Sequence, residues 1–185
     1  MQSNEARLGH FLQSVRGGAL AFACLRVRDE EVAQDLLQEA MIGFVASAQK
    51  YDEEIWKNLL YKILGRRIAD WQRKQIWRNR IARIVPFSGL STNDDEENEL
   101  VEFSAGDEEG PEQGHRAEQL AQHFEGALSL LPARQQEAYL LRQWQAFSVS
   151  DTATIMKCSE GSVKTHLSRA MQALREHLGE WIDED

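Results

Sequence analysis

The sequence predicts an all-α protein of two small helical domains joined by an acidic, flexible linker. Three observations carry that reading. Through residues 1–85 and 119–185, apolar residues recur at three- and four-residue spacing, the period of an amphipathic helix. Helix-start residues stand ahead of such runs at Asp29, Pro132 and Ser159. From Pro86 the composition shifts abruptly: PFSGLSTNDDEENELVEFSAGDEEGPEQG is rich in acids, Gly and Ser and has little helical periodicity. Charge repulsion and scarce apolar surface leave such a stretch, 86–118, without a core to fold around.

The first helix is expected over about residues 5–27, with Leu8, Phe11, Leu12, Val15, Leu20, Phe22 and Ala23 as its core face and Gly17 and Gly18 as a weak point. Asp29 is placed to cap a second helix, about 30–49, whose first-turn acids complement the helix dipole. Its expected buried stripe is Val32, Leu36, Ile42 or Met41, and Val45. Asp35, Gln38 and Glu39 fall three and four residues apart on one polar face.

A polar connection, 50–54, leads into a long helix over about 55–83. It holds Lys57, Lys62, Arg66, Arg67, Arg73, Lys74, Arg78, Arg80 and Arg83 against one acid, Asp70. Leu60, Ile63, Leu64, Ile68 and Trp71 form its expected inward stripe, and Trp56, Tyr61, Trp71 and Trp77 are interleaved with the cations. Cations neutralise phosphates and aromatic faces stack on unpaired bases. A basic amphipathic helix also suits a membrane surface or an acidic protein.

Beyond the linker, a helix over 115–130 turns Leu120, Phe124, Ala127, Leu128 and Leu131 inward, and Pro132 opens another over about 133–144. The stretch FSVSDTATIMKCSEGSVKTHLSRAMQALREHL, 147–178, reads as a helix-turn-helix. Ser150 is the expected cap of its first helix and Ser159 of its second. Val163, Leu167, Ala170 or Met171, Leu174 and Leu178 make the apolar stripe. Ser162, Lys164, Thr165, His166, Ser168 and Arg169 fall mostly off it. Short hydroxyls and cations on such a face can reach base edges and phosphates in a major groove, though periodicity alone suits any helical hairpin with a solvated face. In the tail, Trp181 and Ile182 are expected to pack back onto the domain.

Particular residues carry a resemblance. Phe147, Ser148, Ala153, Ile155, Met156, Ser159, the run GSVK at 161–164, Leu167, Arg169 and Ala170, preceded by LPARQQE at 131–137 and LLR at 140–142, resemble region 4 of bacterial sigma factors. DLLQEA at 35–40 resembles the part of region 2 that docks on the clamp coiled coil of core RNA polymerase. LYKI at 60–63, Asp70, Trp71, Arg73 and Lys74 look like the part of region 2 that recognises and melts the minus-ten element in extracytoplasmic-function (ECF) sigma factors. The chain is thereby identified as a member of the ECF sigma family, over roughly residues 8–85 and 119–178.

The resemblance implies a non-catalytic, cytoplasmic specificity subunit without a cofactor. Its implied partners are core RNA polymerase (the beta-prime clamp and the beta flap), promoter DNA and, as for many members of the family, an anti-sigma protein. It implies polymerase docking by Asp35, Gln38 and Glu39. Minus-ten recognition would fall to Lys62, Arg66, Arg67, Asp70, Trp71, Arg73, Lys74 and Arg78. Minus-thirty-five recognition would fall to Ser162, Lys164, Thr165, His166, Ser168 and Arg169. The sequence departs from the family pattern at four single positions and in one loop. Leu59 stands for the usual Trp and Arg66 for Asn. In the hairpin, Thr152 stands for Ile and Lys157 for Gly. The loop at 52–54, which forms a base pocket in the family, is acidic and one residue short.

The net charge of −9 conceals the basic helix: residues 1–85 carry 14 Lys and Arg against 10 acids, 86–118 one against 11, and 119–185 six against nine. A tether and an acidic strand that mimics nucleic acid or masks the basic helix are both open readings of the linker. No stretch has the roughly 18 uninterrupted apolar residues of a membrane span, and the N-terminus lacks the basic start and apolar run of a signal peptide. Cys24 and Cys158 fit no metal spacing and are expected to be buried free thiols. A stand-alone duplex-binding regulator, a DNA-processing enzyme and an acidic interaction protein are the competing classes. The enzyme would need a clustered carboxylate or Ser/Tyr site, whereas the acids at 29–31 and 52–54 fit a helix start and a loop.

Overall fold

A computed structural model describes residues 4–84 and 111–182, and among them every regular element is helical. Residues 86–110 of the linker therefore lie outside the described residues, together with any masking role, whereas 111–118 belong to a helix. The chain divides into two compact units, Met1–Glu99 and Leu100–Asp185.

In the first unit, α1 (Asn4–Val27) runs unbroken through Gly17 and Gly18. Arg28 takes a left-handed φ of 58°, and Asp29 then caps α2 (Glu30–Ala48), its Oδ1 accepting from the Val32 N–H at 2.9 Å. A 3₁₀ turn (Glu53–Ile55) leads into α3 (Trp56–Ile84), and the three helices pack on one another. One ring from each helix meets at the centre. Phe11 and Phe44 lie 5.2 Å apart by ring centroid, and Trp56 meets both edge-on at 5.5 and 5.8 Å. Phe22 and Tyr61 form a second edge-on pair at 5.4 Å. Trp56 and Tyr61 are thus core residues, and burial holds the Tyr61 phenol far above its usual range. Neither can stack on bases as their interleaving with cations suggested.

The buried face of α2 is Ala33, Leu36, Leu37, Ala40, Phe44 and Ala48. Of the expected stripe only Leu36 is fully buried, while Ile42 is 64% and Val45 42% exposed. The face is rotated from the expected one: Phe44 turns inward to meet Phe11 and Trp56, which brings Leu37 and the small residues Ala33, Ala40 and Ala48 in with it and leaves Ile42 and Val45 outside. Along α3, Trp56, Leu60, Tyr61, Leu64 and Ile68 are buried, and Ile63 and Trp71 are half-buried. At its middle the buried Arg26 stacks on Phe22 (5.5 Å), and Gln72 Nε2 donates to the Arg26 carbonyl at 3.0 Å.

In the second unit, α4 (Pro111–Leu130) starts four residues before the expected 115. Proline tolerates a first helical turn because that turn needs no N–H donor. Leu120, expected inside, is half exposed, and full burial on α4 is found at Ala127 and Leu128. Helix α5 (Ala133–Tyr139) passes into a π turn at Leu140–Trp144. The hairpin follows as α6 (Val149–Met156) and α7 (Glu160–Ile182); the packing of Trp181 and Ile182 lies outside the described side chains. Ser148, not Ser150, caps α6, its Oγ accepting from the Asp151 N–H at 3.0 Å. With serine at both positions, spacing could not fix the register.

The hairpin turn is held from both sides. Lys157 adopts the left-handed conformation (φ 52°, ψ 51°), which lets its own N–H and that of Cys158 reach the Ala153 carbonyl. Arg134 on α5 donates to the Met156 carbonyl at 2.9 Å and pairs with the buried Glu137 at 3.1 Å. Cys158 is half-buried rather than buried, and burial raises its thiol above the ordinary value, which keeps it unreactive.

Two stability predictions follow from the departures at Thr152 and Lys157. Thr152 is fully buried and its hydroxyl has no hydrogen-bond partner among the described residues. Thr152→Val keeps the shape and removes the unsatisfied polar atom, so it should add about 1 kcal/mol, read as a higher urea midpoint at unchanged slope. A lower midpoint would mean that the hydroxyl is satisfied. At Lys157 a side chain occupies a conformation that costs about 1–2 kcal/mol for L-residues. Lys157→Gly should recover about 1 kcal/mol, less glycine's added freedom in the unfolded chain, and so raise the melting temperature.

Candidate nucleic-acid interface

Three helical faces hold the residues that the sequence singled out. On α2, Asp35, Gln38 and Glu39 are all exposed. Ile42 follows at seven residues from Asp35 and four from Gln38, two helical turns and one, so it continues the same face. It was misassigned to the core. The position of the polar triplet on the helix could have revealed it, because a residue in phase with three solvated ones faces solvent. The result is a polar ridge with an apolar residue at its end.

On α3 the eight expected residues fall on two stripes rather than one. Lys62, Arg66, Asp70 and Arg73 recur along the side opposite the buried stripe, and Trp77 and Arg80 extend it. Arg67, Trp71, Lys74 and Arg78 run along a flank. Arg66, Arg73, Lys74 and Arg78 are exposed, whereas Lys62, Asp70 and Trp71 are half-buried. Asp70 pairs with Arg73 one turn away, which offsets part of the outer charge. Arg67 Nη1 lies 3.2 Å from Glu39 Oε2. That ion pair joins the polar face of α2 to the basic flank of α3. At the 3₁₀ turn the acids are exposed, and Arg7 both pairs with Glu53 and lies over the Trp56 ring at 5.7 Å.

On α7, Ser159 caps the first turn by accepting from the Ser162 N–H at 3.1 Å, and the two hydroxyls lie 2.9 Å apart. Ser162 is therefore half-buried and engaged in the cap. Thr165 is exposed, but its hydroxyl donates back to the Gly161 carbonyl at 3.0 Å. Lys164, Ser168 and Arg169 are exposed. His166 sits at the edge of the face, its inner Nδ1 buried without a partner among the described residues. Six expected residues thus resolve into an outward set, Lys164, Thr165, Ser168 and Arg169, and two at the margin.

Among the described residues no cluster of His, Cys, Asp and Glu could hold a metal ion, and no helix is long and apolar enough to cross a membrane. These faces can bind polyanions and a protein surface.

Comparison with known proteins agrees with this geometry. Residues 10–78 match the family described as Sigma-70 region 2, and residues 122–174 match Sigma-70, region 4. The RNA polymerase sigma-E factor of Streptomyces avermitilis is 32% identical over 82% of this chain and 74% of its own length. The ECF RNA polymerase sigma factor SigX of Bacillus subtilis is 26% identical over 85% and 76%. In fold, the chain is similar to the sigma factor RpoE of Bartonella quintana, solved with the anti-sigma factor NepR, at a TM-score of 0.70, 24% identity, and coverage of 92% of this chain and 96% of that one. The chain belongs to the ECF family of RNA polymerase sigma factors, which direct promoter-specific initiation of transcription.

Proposed function

We propose that the chain is a non-catalytic, cytoplasmic specificity subunit whose work is divided among the three faces. Core RNA polymerase binds the α2 face through Asp35, Gln38 and Glu39, with Ile42 giving the contact an apolar anchor. The basic side of α3, Lys62 to Arg78, holds the minus-ten element as it opens. The outward face of α7, chiefly Lys164, Thr165, Ser168 and Arg169, reads the minus-thirty-five element, with Ser162 and His166 at its margin. The second unit rests on the beta flap and the first on the beta-prime clamp. Phosphoryl transfer belongs to the polymerase. An anti-sigma protein is a further partner; the similar Bartonella sigma factor was solved in complex with one.

The observation that supports this best is the exposed α2 ridge beside a basic helix whose cations have few acidic neighbours. The Glu39–Arg67 pair fits the proposal too. An exposed ion pair is worth about 0.2–1 kcal/mol, so polymerase contacts can displace it cheaply. Once Glu39 is engaged by polymerase, Arg67 is free for phosphate.

Charge reversal at Asp35 and Glu39 together should lower affinity for core polymerase at least tenfold, while the chain still unfolds cooperatively with a stability loss of only about 1 kcal/mol, the scale of the exposed Glu39–Arg67 pair. Undiminished affinity would sink the docking assignment. Lys164→Ala should weaken holoenzyme binding to promoter fragments and flatten its log–log salt dependence by about one. An unchanged slope would remove Lys164 from the phosphate contacts. Specific duplex binding by the chain without polymerase would favour a stand-alone regulator instead.

A further inference from the structure

The turn of the hairpin holds a lysine where the backbone favours glycine. Lys157 takes the left-handed conformation (φ 52°, ψ 51°), which is free to glycine and strained for lysine. That conformation serves the two N–H bonds to the Ala153 carbonyl, from Lys157 itself and from Cys158, and glycine would make both. The lysine side chain is exposed, and no carboxylate among the described residues lies within ion-pair distance of it. A cation suits the negative end of the α6 dipole, yet a place within the last turn would serve as well without the strain. Strain by itself assigns no role, since Ala146 is left-handed too and carries no charge. Position separates the two.

The inner side of the turn faces α5. Arg134 on α5 bonds the Met156 carbonyl, the Met156 side chain is buried, and the Cys158 thiol lies in the fields of Arg134 and Glu137. Lys157, between Met156 and Cys158, is exposed on the side turned away. Helix α5 also packs on α7, whose buried residues include Val163, Ala170 and Leu174, so the outward face of α7 is turned from α5 as well. Lys157 thus stands on the same side of the hairpin as that face, just ahead of Glu160, where α7 begins. When such a helix enters a major groove with its first residues on the base edges, the turn before it stands over the rim, where the phosphates run. A lysine there is a mobile point charge on a long stem, which suits a phosphate. It also offsets Glu160, an exposed acid that repels the same backbone.

We propose that Lys157 binds a backbone phosphate at the edge of the minus-thirty-five element, so that the hairpin turn gives up stability for promoter affinity. This rests on the assignment of α7 to that element and extends it to a residue outside the helix.

The test measures holoenzyme binding to a promoter fragment as a function of salt, with the wild-type chain, K157Q, K157R or K157G. K157Q keeps the length of the side chain and removes its charge, and core affinity serves as the control. One phosphate contact contributes about 0.9 to the log–log salt slope, so K157Q should bind about eightfold more weakly at about 0.1 M salt and converge on wild type toward roughly 1 M. K157R should keep the slope, whereas K157G should flatten it while melting at a higher temperature than wild type. The fold-loss in K157Q should be the same when bases of the minus-thirty-five element are substituted, because phosphates carry no sequence information. Single methylphosphonate substitutions along that element should find one phosphate whose neutralisation weakens wild type and leaves K157Q unaffected. An unchanged slope in K157Q would overturn the proposal, and so would a slope equally flat in K157R. Reduced core affinity in K157Q would make Lys157 a polymerase contact and overturn it too. If Lys164→Ala flattens the slope and K157Q does not, only the role of Lys157 falls; if neither does, the assignment of α7 itself fails.

Discussion

The aromatic seam of Phe11, Phe44 and Trp56 is the interaction on which the first unit depends. Each ring comes from a different helix, so the seam fixes all three at once. Aromatic pairs of this kind contribute about 0.5–1.5 kcal/mol each beyond their buried area. Trp56 also opens α3, and its anchoring sets the rotation of that helix about its axis. Once Trp56, Leu60, Leu64 and Ile68 turn inward, Lys62, Arg66, Arg73 and Trp77 must turn outward, because the two sets lie on opposite sides of a 3.6-residue repeat. The outward basic face of α3 follows from its core face.

The second unit solves the same problem with polar groups. A short helix such as α6 has too little apolar surface to orient a neighbour by packing alone. Arg134 supplies the missing constraint. Its guanidinium donates to the Met156 carbonyl at the C-terminal end of α6, where the helix dipole is negative, while holding the buried carboxylate of Glu137. With Ser159 capping the next helix, the turn is bound at its entrance and its exit, and the outward face of α7 is aimed accordingly. That turn tolerates a left-handed lysine because the backbone bonds to Ala153 are secured on either side of the strain.

Helix positions, the caps at Asp29 and Ser159 and the buried stripe of α7 were legible in the sequence because they depend on local chemistry and a single period. What failed depended on partners. The buried face of α2 is set by the partners that Phe44 meets on the other two helices, Phe11 and Trp56, and no property of α2 alone contains them. Trp56 and Tyr61 read as nucleic-acid aromatics because they alternate with cations, yet the space left by Phe11, Phe22 and Phe44 made them core. The division of the α3 cations between two stripes was available from the helical period. The Glu39–Arg67 pair was not, since it spans two elements.

The distribution of charge explains how a chain with a net charge of −9 can act on DNA. Counterion release depends on how many phosphates a surface neutralises locally, not on the total charge of the molecule. On α3 four exposed cations, Arg66, Lys74, Arg78 and Arg80, have no acid within the same turns except Asp70, which Arg73 engages. On α7 the exposed cations of the candidate face are Lys164 and Arg169, in a segment with more acids than bases. Few phosphates can be neutralised there, so that face alone can hold duplex DNA only weakly. Weak surfaces become a strong one when a scaffold presents them together, because the second contact then forms at the high effective concentration set by the first. For a sigma factor the scaffold is the polymerase. The modest charge of α7 thus suits a protein whose DNA binding is meant to depend on its enzyme.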